Sequence, residues 1–289
     1  MHEVKIGFIG AGRVGCSLGK YLADKGKPVT GFYSKSYENA AKAAQFASTD
    51  DLPVRAYRDM EELAALSDTL IIATPDDEIG KVWDCMKGMS INERVICHVS
   101  GSLSSDVFQG IEKKQAYGAS VHPLLAFRDK FSSYQQLHHG FFTLEGDKTA
   151  LRNLETLLQE LGNSYRIIAK EDKAVYHCAA SILSNDVLSL LETGFGLLQR
   201  CGFTEEEARE SAASLIQGNV ENILKNGTIS SMTGPIPRGD AMTVEKHLQV
   251  LKGEEREIYL LLGRKLLRMA EEKEPEKDFK KLETLLCIR

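Results

Sequence analysis

Lys173, His177, Ser181 and Asn185 recur at intervals of four residues, a pattern of polar side chains with the means to do chemistry. On an α-helix this spacing places successive side chains along one face. A lysine or histidine can polarise and then protonate a carbonyl oxygen, while the serine and asparagine orient the substrate. The pattern therefore predicts a helix lining a wet cleft, with other faces that pack through Val175, Ala179, Ala180, Ile182, Leu183 and Val187. A polar face turned to bulk solvent is the alternative.

Two further segments carry candidate residues in weaker patterns. Residues 233–240 contain two glycines and two prolines, which favour a preformed loop. Arg238 in this loop can bind a substrate carboxylate through paired N–H groups, and Asp240 can hold Arg238 or Lys173 in place. A plain connector between helices is an equal alternative. His122 precedes a proline, and the sequence leaves open whether it lies at a cleft edge or is structural.

A glycine-rich turn provides the strongest motif. Residues 10–15 read G-x-G-x-x-G between an apolar run and an amphipathic segment, the context in which this motif binds a dinucleotide. Gly10 permits the tight turn, Gly12 lets the backbone approach a pyrophosphate, and Gly15 lets the helix lie close to the strand. The following helix directs N–H groups at the phosphates. The expected contacts are Gly10, Ala11, Gly12, Arg13, Val14 and Gly15, and a glycine turn that binds nothing is the alternative.

The residues after the second apolar run indicate which dinucleotide binds. Ser34, Lys35 and Ser36 lie where an NAD-specific site usually has an acidic residue for the ribose 2′-hydroxyl. Lysine and two hydroxyl groups suit a 2′-phosphate, and no carboxylate is there to repel it. Arg13 can add a second positive charge. The pattern favours NADP over NAD, with an ordinary polar turn as the alternative.

Two later loops, at residues 74–77 and 100–102, also follow apolar runs. Ligands of doubly wound sheets bind beyond the carboxyl ends of the strands. The loops are therefore expected to pass the ribose and nicotinamide, with contacts from Thr74, Pro75, Ser100 and Gly101. Asp76 and Ser102 in these loops can also cap helices.

Alternation of short apolar runs with amphipathic segments predicts an α/β Rossmann domain over residues 1–168, with a doubly wound, mostly parallel sheet. Residues 169–289 show no strand pattern and form the predicted all-α domain. One helix is expected over 171–200, a second over 204–225 opened by a capping box, and two or three more beyond residue 240. The predicted strands are 4–9, 28–33, 54–57, 69–73, 95–99, 116–121, 141–144 and 165–168, and the helices between them 14–25, 37–46, 59–66, 76–86 and 149–161.

Composition excludes several classes of function. The chain has 289 residues and a net charge of −5, which argues against binding to nucleic acid. The histidines, cysteines and acidic residues show no metal-ligand spacing, so no metal is expected. The six cysteines, including Cys287, are expected to be reduced thiols. No signal peptide and no run of about 18 apolar residues is apparent, so a cytoplasmic protein without a membrane partner is expected.

The chain resembles the Rossmann-like bacterial proteins whose C-terminal part is the domain of unknown function 2520. These belong to the larger group with a 6-phosphogluconate-dehydrogenase-like helical domain, which includes ketopantoate reductase and pyrroline-5-carboxylate reductase. The resemblance implies an NADPH-linked reductase, similar to an alternative ketopantoate reductase, whose helical domains pair in a homodimer. It rests on residues 10–15, 33–36, 98–102, 122–124 and 233–240 and on Lys173, His177 and Asn185.

The expected function is NADPH-dependent reduction of a small carbonyl acid, with ketopantoate as the most specific substrate. Lys173 or His177 would donate the proton, and Ser181, Asn185 and Arg238 would hold the substrate. Ordinary ketopantoate reductases have asparagine four and eight residues after the lysine, where this chain has His177 and Ser181. Two alternatives remain open, an imine reductase of the pyrroline-5-carboxylate type and a non-catalytic NADP sensor or partner-binding module.

Overall fold

The computed structural model describes residues 4–286. The chain divides into two compact units, residues 1–186 and residues 187–289. The first unit ends well beyond the predicted boundary after residue 168, because the helix that begins at Lys173 bonds to strands of the sheet. Cys16, Cys85, Cys97, Cys178 and Cys201 are free thiols, as expected, and Cys287 lies outside the described residues.

The first unit is built on one eight-stranded sheet. Its strands are β1 (Ile6–Ile9), β2 (Val29–Tyr33), β3 (Arg55–Tyr57), β4 (Thr69–Ile72), β5 (Val95–His98), β6 (Tyr117–Leu124), β7 (Phe141–Gly146) and β8 (Tyr165–Ile167). They lie in the order β3-β2-β1-β4-β5-β6-β7-β8, and only the β6–β7 pairing is antiparallel. The order of the first six strands is that of the Rossmann fold, so the predicted mostly parallel, doubly wound sheet is confirmed.

Helices cover the sheet on both faces. They are α1 (Arg13–Asp24), α2 (Tyr37–Ala47), α3 (Met60–Ala65), α4 (Asp76–Met86) and α5 (Lys148–Leu161). Alternate side chains of β1 enter two separate apolar clusters. Ile6 and Phe8 lie in the first cluster, and Ile9 lies in the second. Helices α1, α2 and α5 complete the first cluster, and α3 and α4 complete the second with the buried Trp83. The helices and strands of this unit up to β8 begin and end within one or two residues of their predicted limits, except at the end of β6.

Strand β6 is longer than predicted, and its extra length positions a candidate residue. Its pairing with β5 ends at Ser120 opposite His98, but the strand continues to Leu124 beside antiparallel β7. Pro123 has no N–H to donate and lies beyond that pairing with β5, so the strand tolerates it. His122 is thereby carried past the carboxyl end of β5.

The predicted single helix over 171–200 is interrupted. A 3₁₀ turn (Lys170–Asp172) precedes α6 (Lys173–Ser181), a π-helical turn (Ile182–Asp186) follows, and the chain continues as α7 (Val187–Arg200). A π turn takes more residues than an α turn. Asn185 lies within this turn, and its place on the predicted face stays a prediction.

The apolar residues expected to pack around that stripe are exposed in this chain. Val175 is 72% exposed and Leu183 is 76% exposed, so the packing prediction is wrong. One helix among the described residues, Lys170–Arg200, is long and apolar enough by length and composition to cross a membrane, contrary to the expectation from the sequence. No residue of its 18-residue apolar window is buried. Length and composition do not distinguish a membrane span from an apolar face that a protein partner covers.

The second unit is helical throughout its regular structure. After α7 it contains α8 (Glu205–Asn226), α9 (Pro235–Arg238), α10 (Ala241–Val250), α11 (Gly253–Lys273) and α12 (Lys280–Leu286). The predicted capping box opens α8, where Thr204 and Glu207 each bond to the backbone N–H of the other. Short α9 lies within the predicted loop. The core of this unit is an apolar cluster that includes Ile236, Val244 and Leu282.

Candidate functional site

A cleft of about 480 Å³ opens in the first unit around the carboxyl ends of β1, β2 and β4. We call it the dinucleotide cleft. Among the predicted contacts, Gly10, Ala11, Gly12, Ser34, Lys35, Thr74 and Pro75 line it. Its wall is completed by Ile9, Tyr33, Asn39, Met60, Ala73, Glu78, Lys81, Val82 and Cys85, which the sequence did not single out.

The three motif glycines have different reasons to be glycine. Gly10 has φ +109°, and a Cβ on it would lie 2.5 Å from the carbonyl oxygen of Ala73. A Cβ on Gly15 would lie 2.5 Å from the carbonyl oxygen of Gly10, so both glycines are required by packing within the chain. At Gly12 the nearest atom would be 3.8 Å away, which leaves room for a side chain. Gly12 also begins α1 without a side-chain cap, so the turn fits a bound pyrophosphate.

Charged side chains surround one end of this cleft. The Glu78 carboxylate bonds to the ammonium groups of both Lys35 and Lys81. These two hydrogen bonds lower the pKa of Glu78 to about 2. Ser36 caps α2 by accepting a hydrogen bond from the N–H of Asn39 at 3.4 Å, and it does not line the cleft. The lysines supply two positive charges, but the structure places the Glu78 carboxylate between them, so the expectation that no carboxylate lies at this end of the cleft is wrong.

Asp76 joins the loops that follow β4 and β5. Its Oδ2 accepts hydrogen bonds at 2.8 Å from the hydroxyls of Ser100 and Ser102. It does not cap α4 with its side chain, so capping is not its role in this structure. The N–H of Ser100 also donates to Nδ1 of buried His98, whose Nε2 therefore donates to the carbonyl of Ser104. Burial lowers the pKa of His98 to about 4, which keeps the ring neutral and structural.

Lys173 is buried and fixes α6 to the ends of two strands. Its Nζ donates to the carbonyl oxygen of Ser100 at 2.8 Å and to the hydroxyl of Ser120 at 2.9 Å. Burial lowers the pKa of Lys173 to about 8, against the opposing charges of Glu145 and Asp76. The amine of Lys173 thus holds α6 against the ends of β5 and β6.

His122 and Tyr176 form a pair beside this lysine. Nδ1 of His122 lies 2.7 Å from the hydroxyl oxygen of Tyr176, which also bonds to the hydroxyl of Thr143. Burial, with the charges of Lys173 and His177, lowers the pKa of His122 to about 4. Burial raises the pKa of Tyr176, so the phenol stays protonated. We call His98, Ser100, His122, Lys173 and Tyr176 the strand-end cluster.

Gly101 lies where two histidines converge on this cluster. A Cβ there would lie 2.6 Å from Cδ2 of His177 and 2.9 Å from Nε2 of His122. The His122 and His177 ring centroids are 6.4 Å apart. His177 itself is exposed. The predicted loop residues Ser100 and Gly101 therefore adjoin the candidate proton donors, at the carboxyl end of β5.

The remaining predicted residues have contacts of their own or none with the cluster within their unit. Within residues 4–286, no hydrogen bond joins Ser181 or Asn185 to the strand-end cluster. Arg238 ends α9 in the second unit, and Asp240 caps α10 by accepting from the N–H and hydroxyl of Thr243. Their substrate roles stay predictions. No group of metal-binding side chains occurs among the described residues.

Some site residues were missed because their partners are distant in sequence. Tyr176 contacts His122 across 54 positions, and Lys173 contacts Ser120 across 53. An aromatic residue on a helix usually indicates packing, so Tyr176 gave no chemical signal. Lys81 follows Glu78 by three residues on α4, and this spacing was the available signal for the charged end of the cleft.

The unpaired hydroxyl of Thr74 yields a testable prediction. Its Oγ1 is buried in the wall of the dinucleotide cleft without a hydrogen-bond partner among the described residues, as is Oγ1 of Thr30 elsewhere. We expect Thr74→Val to weaken NADPH binding about 5-fold, the effect of one hydrogen bond of roughly 1 kcal/mol. Thr30→Val is the matched control and should bind NADPH like the wild type. Equal NADPH affinities in calorimetric titrations of the two variants would contradict a role for Thr74.

Comparisons with known proteins agree with this architecture. The N-terminal part of the chain is of the Rossmann-like class, since residues 1–123 match the family model of the Rossmann-like domain. Residues 140–266 match the domain of unknown function 2520, so the chain combines these two domains, as the sequence led us to expect. No curated protein matches the sequence.

Three solved structures illustrate the likeness. A protein from Thermotoga maritima is 24% identical, with a TM-score of 0.70 over 94% of this chain and 100% of its own. An imine reductase from a Pseudomonas species is 15% identical, with a TM-score of 0.61 over 99% and 100%. Pyrroline carboxylate reductase from Plasmodium falciparum, with NADP bound, is 17% identical, with a TM-score of 0.59 over 94% and 97%. At these identities the likeness shows the fold.

Proposed function

We propose that this chain is an NADPH-dependent oxidoreductase that reduces the C=O or C=N group of a small carboxylate-bearing substrate. One observation carries the proposal. The dinucleotide cleft and the strand-end cluster lie at the same edge of one sheet, and Asp76 and Ser100 bond across the loops between them. A nicotinamide coenzyme supplies a hydride, and this chain supplies protonated or hydrogen-bonding groups for the atom that becomes negative.

NADP is favoured over NAD by the charged end of the cleft. Lys35 and Lys81 both approach one carboxylate, that of Glu78, so the chain already holds an anion between two cations. A 2′-phosphate can take the same pair of charge-assisted hydrogen bonds. The pyrroline carboxylate reductase named above, whose structure holds NADP, supports this choice of cofactor.

Lys35 provides a test of cofactor choice. We expect Lys35→Gln to weaken NADPH binding about 10-fold or more, the value of one charged hydrogen bond, and to change NADH binding little. Lys42→Gln is the matched control, because Lys42 is also an exposed lysine that pairs with a glutamate, Glu38 on α2. Fluorescence titrations with both nucleotides measure the effect. An equal loss for NADPH and NADH would contradict a 2′-phosphate contact.

The substrate class is the finer part of the proposal. A carbonyl acid such as ketopantoate is the first candidate, because the domain combination is that of the resemblance described above. A cyclic imine acid of the pyrroline-5-carboxylate type is the second, favoured by the fold shared with imine and pyrroline carboxylate reductases. The experiment is NADPH oxidation with a panel of both classes. If the protein binds NADPH but no compound of the panel causes its oxidation, the non-catalytic NADP sensor would be favoured.

Exposed apolar residues support a homodimer, which we propose together with a cytoplasmic location. In the second unit Leu188 and Leu215 are exposed, and Leu224 is 82% exposed. These residues lie on α7 and α8, and α8 opens with three glutamates, so a second protein copy suits the surface better than lipid. Sedimentation equilibrium that gives the mass of one chain would contradict the dimer.

A further inference from the structure

The pairing of His122 with Tyr176 depends on elements that converge from distant parts of the first unit. His122 lies on the part of β6 that extends past its pairing with β5. Tyr176 lies one turn along α6 from Lys173, whose amine fixes that helix to Ser100 and Ser120. The resulting distance of 2.7 Å between Nδ1 and the phenol oxygen is that of a strong hydrogen bond.

The protonation states of both groups allow the Tyr176 hydroxyl to donate this hydrogen bond. The imidazole is neutral and the phenol is protonated at neutral pH, because burial disfavours the charged form of each. When the Tyr176 hydroxyl donates to Nδ1, the proton of the neutral His122 ring resides on Nε2. Within residues 4–286 no hydrogen bond engages Nε2, and this atom lies against Gly101 at the carboxyl end of β5.

We propose that His122 donates the proton to the substrate through Nε2 and that Tyr176 replaces this proton through Nδ1. The proposal rests on the reductase function proposed above. As hydride reaches the substrate carbon, the electron pair of its C=O or C=N bond takes the proton from Nε2. The N–H bond at Nε2 breaks, an N–H bond forms at Nδ1, and the O–H bond of Tyr176 breaks. Thr143 donates to the phenolate until a water molecule protonates Nε2, when the proton on Nδ1 returns to the Tyr176 oxygen and hydroxide leaves to solvent.

The other two candidate donors have different surroundings. Lys173 is 2% exposed and already bonds to Ser100 and Ser120, so it acts as a positioning residue for α6. His177 is exposed, and no hydrogen bond within the described residues fixes its tautomer. A neutral imidazole gives up its proton more readily when a second group donates to its other nitrogen. His122 has that group, and His177 does not.

The kinetic test compares three variants in the NADPH oxidation assay with the panel of 2-oxo acids and cyclic imines. Tyr176→Phe keeps the ring and removes only the hydroxyl, so folding should be retained. We expect Tyr176→Phe and His122→Gln to lower kcat about 100-fold or more, the usual loss for a general acid, with the NADPH Kd unchanged. His138→Gln, the matched control, changes an exposed histidine outside the strand-end cluster and should keep the wild-type activity. In the wild type kcat should fall at alkaline pH as Tyr176 ionises, and Tyr176→Phe should lose this dependence.

A second measurement does not depend on the substrate. Nitrogen-15 NMR of labelled histidine should show His122 protonated at Nε2 in the wild type and a mixture of tautomers in Tyr176→Phe. A proton on Nδ1 in the wild type, or full kcat in Tyr176→Phe, would overturn the relay while leaving the reductase intact. A wild-type protein that binds NADPH but reduces no compound of the panel would instead contradict the proposed function. The proposal that His122 donates a proton would fail with it.

Discussion

Replacing Gly12 with valine is expected to abolish NADPH binding while the protein still folds. The chain leaves space at this position, since the nearest atom to a Cβ added there would be the Ala73 carbonyl oxygen at 3.8 Å. Its φ of −80° is one that any residue adopts. The methyl groups of valine would occupy the place where the pyrophosphate meets the start of α1, so we expect a loss of about 100-fold or more in affinity.

Binding is measured by the change in fluorescence of the single tryptophan, Trp83, which is buried on α4. Gly80→Ala is the matched control, because a Cβ there also meets nothing closer than 3.8 Å, and Gly80 does not line the cleft. That substitution should leave the NADPH Kd unchanged and raise stability by roughly 1 kcal/mol, since alanine favours a helix interior. Wild-type affinity in Gly12→Val would show that the dinucleotide does not cross this turn.

The different fates of the three motif glycines show what a motif can predict. Sequence context was enough to place residues 10–15 between β1 and α1, because the strand, turn and helix are adjacent in the chain. The motif also predicted close packing at Gly15 and an open approach at Gly12. It could not identify Ala73, just after β4, as the residue that a Cβ on Gly10 would meet. Local periodicity likewise predicted every strand of the sheet, because each strand is a short apolar run with its own turn signals.

The strand-end cluster was only half predictable for the same reason. Spacing of four drew attention to Lys173 and His177, but only the fold shows that one is buried and the other exposed. The π turn that contains Asn185 has no signature in the pattern of polar residues. Tyr176 acquires chemical meaning only through its hydrogen bond with His122. The sequence predicted β6 to end at residue 121, one residue before His122.

Replacing Lys173 with methionine is expected to change how stability depends on pH. Burial lowers the pKa of this amine from 10.5 to about 8 in the folded chain. Between these values the unfolded chain holds a proton that the folded chain has lost, so the free energy of unfolding rises with pH across this window. At 1.36 kcal/mol per pKa unit the rise attributable to Lys173 reaches roughly 3 kcal/mol, and Lys173→Met should lack it.

The comparison is made by urea unfolding at pH 7.5 and pH 10, followed by the fluorescence of Trp83, which reports on the first unit alone. Lys148→Met is the matched control, because Lys148 is an exposed lysine of the same unit, and it should keep the wild-type pH dependence. Methionine fills the space of the lysine stem but leaves the carbonyl of Ser100 without its donor. The variant should therefore lose reductase activity through displacement of Tyr176, even where its stability matches the wild type. Parallel pH curves for the wild type and Lys173→Met would mean that the amine is solvated, and α6 would then need another anchor to the sheet.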